Sequence, residues 1–422
     1  MSETNPFTAA AQAIGHRLCR DAIWDGHRCN WVGDSMEIFM YQWRPLLRSF
    51  GPELYSGTSG IGIVLASLAR ADAEPLVRAT AQGAMEQALS TLETIPPEAR
   101  AGFYSGWSGI ACALVECGEM LGVPGWTRRG IELMESVCRS SISPEALDVM
   151  SGRAGIIPAL LRLYQGHPRD WMIETAVRYG HELIGAAHRG ERGWSWRTLP
   201  TGGIEGQKDL TGLSHGAAGI AWALLELHAE TGEREFLSAA EEAIRYEQSY
   251  FDAAQQNWPD FREFPGVMPQ PGLCSTTWCH GAPGIGLTRL RAFQITGKVA
   301  YREQAEAALR TTARLLKAAA PGHESLCLCH GSFGNAETLL LAAEVWNDNA
   351  LRREADAVGR RSLETYINRG LPLPCGVNGG EETPGLMLGI AGMAYFLLRL
   401  AGDARLPSWL LYRPEARVAA QA

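Results

Sequence analysis

The sequence predicts an all-α protein of the α/α toroid class, in which a ring of buried helices is surrounded by a second ring of helices that face solvent. Two observations predict this fold: pairs of glycines recur ahead of apolar segments, and charged helical segments lie between those apolar segments. We expect about seven inner and seven outer helices in a single domain over residues 1–422. Its expected parts are an N-terminal helical segment over 1–50, seven helical-hairpin repeats over 51–400, and a C-terminal tail over 401–422.

The glycine pairs follow a Gly-x-x-Gly pattern whose first glycines lie 46 to 65 residues apart. A period of this length holds one two-helix unit and its connections, so the chain is predicted to be an array of helical hairpins. Glycine tolerates positive φ and close backbone approach, and we expect a tight turn at the start of each inner helix. Repeated glycines also serve plain helix packing, so on their own they predict no functional site. The first glycines are Gly57, Gly106, Gly152, Gly216, Gly281, Gly331 and, in a weaker match, Gly389.

The segments after and between the glycine pairs differ in polarity. Residues 61–69 and 285–290 are apolar on nearly every side, which predicts helices buried all round. Residues 237–247 and 301–316 alternate acidic and basic side chains, which is typical of helices with a solvated face. An inner ring wrapped by an outer ring accounts for both patterns.

The residues just before each first glycine carry the chemistry. Cysteine stands two positions before the glycine in two consecutive repeats, at Cys279 and Cys329, which are 50 residues apart. Because equivalent positions of a closed ring converge on its axis, we expect two thiols and three imidazoles to meet in one small volume. The position directly before the glycine is serine in three repeats and histidine in the next three: Ser56, Ser105, Ser151, His215, His280 and His330.

This donor set predicts one Zn²⁺ per chain at one end of the central cavity, because zinc accepts thiolate and imidazole together. The expected ligands are Cys279, Cys329 and His330. Three protein ligands leave a fourth position open, which is typical of a catalytic zinc site. Cys327 is the rival ligand, but it lies off the repeated position and we interpret it as a buried packing residue.

Taken together, these residues resemble the lanthionine synthetase C-like family, the LanC-type cyclases of lanthipeptide biosynthesis. Two Cys-His-Gly motifs at this spacing are a specific signature, whereas a lone Gly-x-x-Gly is not. Within the family, the Cys-His-Gly form and residues 28–33 and 406–411 most resemble the cyclase half of the bifunctional LanM synthetases. The matching segments are 214–216, 278–286, 329–335 and 384–387.

The resemblance implies a zinc-dependent enzyme that adds a cysteine thiol to dehydroalanine or dehydrobutyrine in a precursor peptide, forming lanthionine or methyllanthionine thioether rings. Zinc would ionise the thiol, and the enolate formed by its attack must be protonated. The resemblance assigns a catalytic role to His215 and an essential acidic position to Asp148, which we expect to orient His215. The alternative role for Asp148 is a helix cap. The dehydratase half of LanM is missing, so the partners would be a dehydrated precursor peptide and a separate dehydratase.

Three further residues are candidates for supporting roles. His280 is expected to donate a hydrogen bond to a bound thiolate or a substrate carbonyl. Trp278 is expected to shape the pocket, although an aromatic residue beside a glycine turn is more often ordinary core. The family often has a basic residue shortly before the first cysteine, but residues 273–277 offer none, so Arg153 is a candidate for substrate contacts.

Two long segments without helical periodicity, residues 189–211 and 252–277, are expected to form walls of a peptide groove, because long loops in compact domains are usually functional or disordered. The alternative is plain insertion away from the active face.

Composition favours a cytoplasmic enzyme. A net charge of −8 argues against nucleic-acid binding as the main activity. The chain start shows no secretory signal, and no apolar run is long enough for a transmembrane segment. Ten cysteines in 422 residues do not suggest a disulfide framework, so we expect reduced thiols.

Three alternative functions remain. A LanC-like relative could add glutathione or another small thiol to dehydroamino acids with the same site, and a non-catalytic protein could retain the zinc and bind peptides. A glycosidase on a similar toroid would instead carry carboxylates at the inner turns, where this chain has cysteine and histidine.

Overall fold

Fourteen α-helices and three small antiparallel sheets make up the regular structure of a computed structural model that describes residues 5–39, 42–71, 74–199, 208–262, 272–319, 324–377, 379–403 and 406–415. The prediction of a mostly helical protein is confirmed. In chain order the helices are α1 (Pro6–Asp21), α2 (Thr58–Ala71), α3 (Pro75–Ser90), α4 (Trp107–Leu121), α5 (Pro124–Arg139), α6 (Arg153–Gly166), α7 (Asp170–Gly185), α8 (Ala217–Thr231), α9 (Arg234–Gln248), α10 (Ala282–Thr296), α11 (Val299–Ala318), α12 (Ser332–Trp346), α13 (Asn349–Thr365) and α14 (Ile390–Leu400).

The even-numbered helices form the inner ring. Each contacts the next even-numbered helix, and α14 contacts α2, which closes the ring. Helices α3, α5, α7, α9, α11 and α13 each pack on the inner helix that precedes them, and α1 packs on α14. The seventh hairpin is therefore completed by the N-terminal helix, which corrects the prediction that all seven lie within 51–400. No helix follows α14 in the described residues, and the apolar face of α1 covers it instead.

The N-terminal 50 residues are only partly helical, which corrects the prediction of a helical segment over 1–50. After α1, strands β1 (Ile23–Asp25) and β2 (Arg28–Asn30) form one antiparallel hairpin, and β3 (Val32–Phe39) and β4 (Gln42–Ser49) form another. Gly26, at φ 62°, turns the first hairpin. Pro45 would interrupt a helix because it lacks the amide hydrogen that a helical hydrogen bond needs.

The second glycine of every repeat allows close approach between the inner helix and the turn before it. A Cβ added there would lie 1.7–2.2 Å from the backbone oxygen six residues earlier, as at Gly284, where the oxygen belongs to Trp278 at 2.0 Å. Among the first glycines only Gly281 has positive φ, at 92°. Close approach, more than positive φ, therefore explains the repeated glycines.

Backbone hydrogen bonds join the turns of neighbouring repeats around the ring. The amide of Tyr55 donates to the carbonyl of Tyr104 at 2.9 Å, and the amide of Tyr104 donates to Met150 at 3.1 Å. The amide of Met387 donates to Tyr55 at 2.8 Å. Each of these residues lies two positions before a first glycine, so this position of the repeat lines one end of the ring.

A buried ion pair ties the outer ring to the inner ring near this end. Glu247 of α9 and Arg289 of α10 are both fully buried and lie 2.8 Å apart. The Glu247 carboxylate also accepts hydrogen bonds from the backbone amides of Gly212 at 2.8 Å and Ala218 at 3.1 Å. Burial raises the pKa of Glu247 despite the nearby guanidinium and these amides. The pair fixes the turn before α8 relative to α9 and α10.

The C-terminal segment, residues 406–412, lies inside the ring and is not a surface tail. Trp409 and Leu410 are fully buried. The Tyr104 hydroxyl donates to the carbonyl of Trp409 at 2.6 Å, and Trp278 Nε1 donates to that of Leu410 at 2.9 Å. The Tyr412 hydroxyl donates to Glu116 of α4 at 2.8 Å. This part of the predicted tail is core, while residues 416–422 lie outside the described residues.

No helix in the described ranges has both the length and the apolar character that a membrane span requires. All ten cysteines lie in the described residues, and none of them is in a disulfide bond.

Candidate active site

The thiols of Cys279 and Cys329 lie at the turn end of the ring, in the turns before α10 and α12, and each shifts the pKa of the other. The Cys329 thiol lowers the pKa of Cys279 to about 6 against the effect of burial, and the charge of Arg262 adds to the lowering. The Cys279 thiol and burial raise the pKa of Cys329. One proton thus leaves the pair readily and the other is held.

His330 follows Cys329 and is fixed by the loop before α14. Its Nε2–H donates to the carbonyl oxygen of Gly376 at 3.0 Å, so Nδ1 is the nitrogen that would bind a metal ion once it has lost its proton. The backbone amide of His330 donates to the sulfur of Cys327 at 3.5 Å. Burial acts against a charge on the imidazole, but the thiolates of Cys327 and Cys279 raise its pKa to about 9. Cys327 therefore lies beside His330 and stands as the rival ligand.

His215 and Asp148 form a hydrogen-bonded pair between the turns of the third and fourth repeats. His215 Nδ1 lies 2.5 Å from Asp148 Oδ2, and their side chains are 22% and 5% exposed. Asp148 also accepts a hydrogen bond from the amide of Ser151 at 2.7 Å. Both expected roles of Asp148 are present in the geometry, because one oxygen caps the turn and the other orients the imidazole. Nε2 of His215 is left for a reacting group.

His280 is fully buried behind these groups and is held as a neutral imidazole. Its Nδ1–H donates to the carbonyl of Thr211 at 3.1 Å, and its Nε2 lies 3.4 Å from the Ser214 hydroxyl, which donates to the carbonyl of Cys279 at 3.2 Å. Burial, followed by the charge of Arg262, lowers its pKa to about 3. Its ring stacks on that of His215, with 5.9 Å between centroids. With both nitrogens facing these groups, His280 supports His215 and the Cys279 turn from behind.

Asp260 and Arg262 add an ion pair that the sequence did not predict for the site. Arg262 Nη2 lies 2.7 Å from Asp260 Oδ2, and Asp260 Oδ1 lies 3.9 Å from Nδ1 of His280. Burial opposes the charge of Arg262, but Asp260 and then the thiolates of Cys279 and Cys329 raise its pKa. No signal in the sequence identified the pair, because it lies in an aperiodic segment.

Tyr55 is a second residue that sequence reasoning missed. Its hydroxyl is buried near Cys329, and burial together with the charge of that thiolate raises the pKa of Tyr55. Tyr55 precedes Gly57 by two positions, as Cys279 and Cys329 precede their glycines. That shared register was the signal that could have found it.

Two predicted supporting residues, Arg153 and Trp278, are buried and make packing contacts. Arg153 is buried, with Nε donating to Glu182 of α7 at 2.5 Å and Nη1 to the carbonyl of Ser143 at 2.8 Å. Trp278 is fully buried and holds the C-terminal segment, as described above. Both side chains are used in packing, and a substrate contact for Arg153 and a pocket-shaping role for Trp278 stay predictions.

The long aperiodic segments both reach the site. The hydroxyl of Thr198, in the first segment, donates to the carbonyl oxygen of His215, and Asp260 and Arg262 belong to the second. Residues 200–207 and 263–271 of these segments lie outside the described residues. Whether the segments form a peptide groove stays a prediction.

A large groove among the described residues lies elsewhere. It has a volume of about 1110 Å³ and runs between α11 and α13 on the outer wall, and none of the site residues lines it. Size therefore does not identify the reaction centre here, and the chemistry of the turn end does.

The donor set at the turn end fits zinc by its chemistry. Two adjacent thiols, one of them readily ionised, lie near an imidazole whose Nε2 is fixed by a carbonyl, an arrangement that orients a metal-binding histidine. Within the described part of the chain, no three cysteine, histidine or acidic side chains are already gathered as a metal site. The three expected ligands would complete their arrangement around the ion.

The fold and the site define a class: a closed double ring of helices with thiols and an imidazole at the inner turns beside an aspartate-oriented histidine. The model of one family, described as lanthionine synthetase C-like protein, matches residues 49–411. The chain belongs to this family, as the sequence motifs predicted.

Solved structures agree with this fold. The structure of nisin cyclase has a TM-score of 0.63 at 20% identity and covers 86% of this chain and 93% of that chain. A family 76 α-mannanase from Bacteroides thetaiotaomicron has a TM-score of 0.49 at 11% identity and covers 94% of this chain and 96% of its own. At these identities the first similarity establishes the helical toroid alone, and the second carries no argument about function.

Proposed function

We propose that this protein is a zinc-dependent lanthipeptide cyclase. It would add a cysteine thiol of a dehydrated precursor peptide to dehydroalanine or dehydrobutyrine and so form lanthionine or methyllanthionine rings. The observation that carries the proposal is that the turns of Cys279, of Cys329 and His330, and of the Asp148–His215 pair lie at the same end of the ring. Family membership and the chemistry of these groups point to the same reaction.

Cys279, Cys329 and His330 are the proposed ligands of one Zn²⁺, with Cys327 as the rival. A bound zinc ion would lower the pKa of a substrate thiol so that the thiolate is present near neutral pH. The hydrogen bond from His330 Nε2 to Gly376 keeps the imidazole in one tautomer and one orientation. The loop before α14 thus prepares His330 to bind through Nδ1.

His215 is the proposed proton-transfer residue. Asp148 holds its Nδ1–H, so Nε2 is the nitrogen that would take the proton of the thiol or give one to the α-carbon of the enolate. The stack on the neutral His280 keeps the ring in place without adding a competing charge.

The reaction is tested with the purified protein and a synthetic peptide that contains one dehydroalanine and one cysteine. Ring closure is an isomerisation, so we expect the peptide to lose its free thiol without a change of mass, together with one zinc per chain. Thiol labelling followed by mass spectrometry measures the free thiol and the mass of the peptide, metal analysis measures the zinc, and peptide without protein is the control. Retention of the thiol at every protein concentration contradicts the proposal.

A glutathione-adding enzyme is the alternative with the same site residues. In the same experiment with glutathione present, this function gives a peptide that gains the mass of glutathione and keeps its own thiol. A non-catalytic peptide-binding protein leaves both mass and thiol unchanged. A precursor peptide, a separate dehydratase and a cytoplasmic location remain part of the proposal.

A further inference from the structure

The groove on the outer wall runs along α11 and is bounded on its other side by the end of α12, the turn between α12 and α13, and the first turns of α13. Its volume is about 1110 Å³, and its lining on α11 extends from Arg302 to Ala318. A rise of ~1.5 Å per residue gives this lining a length of ~24 Å. The groove is therefore long enough to hold a helix of about four turns.

One face of α11 presents a row of charged side chains to this groove. They follow one another at intervals of three or four residues, so they lie along a single stripe of the helix. The row contains four cations and one carboxylate, and that carboxylate, on Glu306, already accepts a hydrogen bond from Arg302 at 3.0 Å. The row consists of Arg302, Glu306, Arg310, Arg314 and Lys317.

The two carboxylates on the opposite side of the groove also have partners. Asp348 caps α13, because its side chain accepts hydrogen bonds from the amides of Ala350 at 2.7 Å and Leu351 at 3.3 Å. Glu354 accepts a hydrogen bond from Lys317 Nζ at 2.8 Å. Every carboxylate of the lining is therefore already used by a cation or by backbone amides.

Three arginines of the lining have no carboxylate partner in the described part of the chain. Arg310 and Arg353 make neither a hydrogen bond nor an ion pair there, and Arg314 donates to the backbone carbonyl of Gln255 at 3.0 Å. All three arginines are exposed. Although the whole chain has a net charge of −8, this groove presents positive charges that can pair with carboxylates of another molecule.

Between its charged sides the groove has an apolar floor. Leu309 and Ala313 each precede an arginine of the row and are 4% and 9% exposed. Trp346 at the end of α12 and Leu351 of α13 are partly buried and extend the floor. An apolar floor between positive sides is complementary to an amphipathic helix whose apolar face is flanked by acidic residues.

The chemistry of the groove favours such a helix over other occupants. Its three carboxylates and the net charge of −8 would repel a nucleic-acid backbone, and a small anion would leave the apolar floor uncovered. The lining includes Trp346, which ends α12, whereas the Cys329 turn precedes the start of that helix. These two ends are ~21 Å apart along the helix axis, so the reacting part of a substrate is not the occupant.

We propose that this groove is the docking site for an acidic amphipathic helix of a partner protein. Arg310 and Arg314 pair with carboxylates on one flank of that helix and Arg353 with those on the other flank. The apolar face of the helix covers Leu309 and Ala313. The inference does not depend on the reaction proposed above, because none of the candidate site residues lines the groove.

The test measures binding of a fluorescein-labelled helical peptide of about 16 residues to the full-length protein by fluorescence anisotropy. This peptide has leucine and alanine on one face and glutamate on both flanks, and a second peptide carries lysine in place of every glutamate. We expect saturable one-to-one binding of the glutamate peptide that weakens as the salt concentration rises. The lysine peptide should bind at least about 10-fold more weakly, because its charges face the arginines.

Three variants locate the binding site. Arg310→Glu/Arg353→Glu reverses one charge on each side of the groove and should weaken binding of the glutamate peptide about 10- to 100-fold. Ala350→Trp keeps every charge but fills the groove beside its floor, so it should also weaken binding. Arg128→Glu/Arg129→Glu makes the same charge change on the exposed side of α5 and should bind as wild type does. Circular dichroism checks that all three variants are folded.

Four outcomes overturn the inference. Equal affinity for the two peptides contradicts it, as does wild-type affinity of Arg310→Glu/Arg353→Glu. Wild-type affinity of Ala350→Trp shows that the peptide adsorbs to the arginines by charge alone and does not enter the groove. In sedimentation of the protein alone, a dimer that Arg310→Glu/Arg353→Glu dissociates makes the groove an interface between two copies of this chain and not a site for a partner.

Discussion

At the scale of single residues, Cys327 and Cys329 are two positions apart in the turn before α12 but make different contacts. The Cys329 thiol and the Cys279 thiol shift each other's pKa, whereas the Cys327 sulfur accepts a hydrogen bond from the backbone amide of His330 at 3.5 Å. We expect Cys329→Ala to lose zinc and all cyclisation, and Cys327→Ala to keep one zinc per chain. Metal analysis of the two purified variants checks this, and the reverse result would exchange the two residues in the ligand set.

The Asp148–His215 pair gives a second prediction at this scale. His215→Asn should keep zinc but lower turnover about 100- to 10,000-fold, because it removes the proton-transfer group without touching a ligand. His167→Asn, which alters only an exposed pair with Glu119 at 2.7 Å, is the control and should be fully active. Normal cyclisation by His215→Asn would contradict the proposed role of His215 in proton transfer.

Most residues of the candidate site could be found from the sequence because the repeat encodes them. Cys279, Cys329, His330 and His215 occupy two adjacent positions of the repeat, and a closed ring brings equivalent positions together. Tyr55 obeys the same rule and was overlooked. Arg262 could not be found in this way, because nothing periodic governs the path of the segment that carries it.

At the scale of the elements, the second glycine of each repeat lets the inner helix approach the preceding turn more closely than a residue with a side chain would. Gly284→Ala would place a Cβ 2.0 Å from the oxygen of Trp278, so we expect it to lower the free energy of unfolding by about 1–3 kcal/mol. Gly185→Ala at the end of α7, where a Cβ meets nothing within 4 Å, should be neutral or stabilising by up to about 1 kcal/mol. Chemical denaturation of both variants checks the difference, and equal stabilities would show that the backbone yields at Gly284.

Sequence patterns predicted some of these elements and missed others. Apolar and charged segments correctly indicated inner and outer helices because each must bury a different fraction of its surface. The hairpins of β1–β2 and β3–β4 were missed, since strands of three to eight residues give a weak alternating pattern beside the strong helical repeat. The position of α1 against α14 depends on contacts between opposite ends of the chain.

At the scale of the whole molecule, the C-terminal segment completes the interior of the ring. Trp409 is fully buried and stacks on Tyr412, with 4.7 Å between ring centroids. Trp409→Ala should lower the free energy of unfolding by about 3–5 kcal/mol through the cavity it leaves. Leu371→Ala, at a side chain that is 46% exposed, should change it by less than about 0.5 kcal/mol. Thermal and chemical denaturation measure both, and a small effect of Trp409→Ala would show that the segment is not part of the cooperative core.

The sequence by itself determined the double ring, the family and the residues in register with the glycines, because a repeat with one period and one polarity pattern has few ways to bury its apolar faces. Only the tertiary structure decided how the ring closes through α1, how residues 406–412 fill its interior, and where Asp260 and Arg262 lie relative to the thiols. These features depend on contacts between segments far apart in the chain, and no local pattern of residues specifies such contacts.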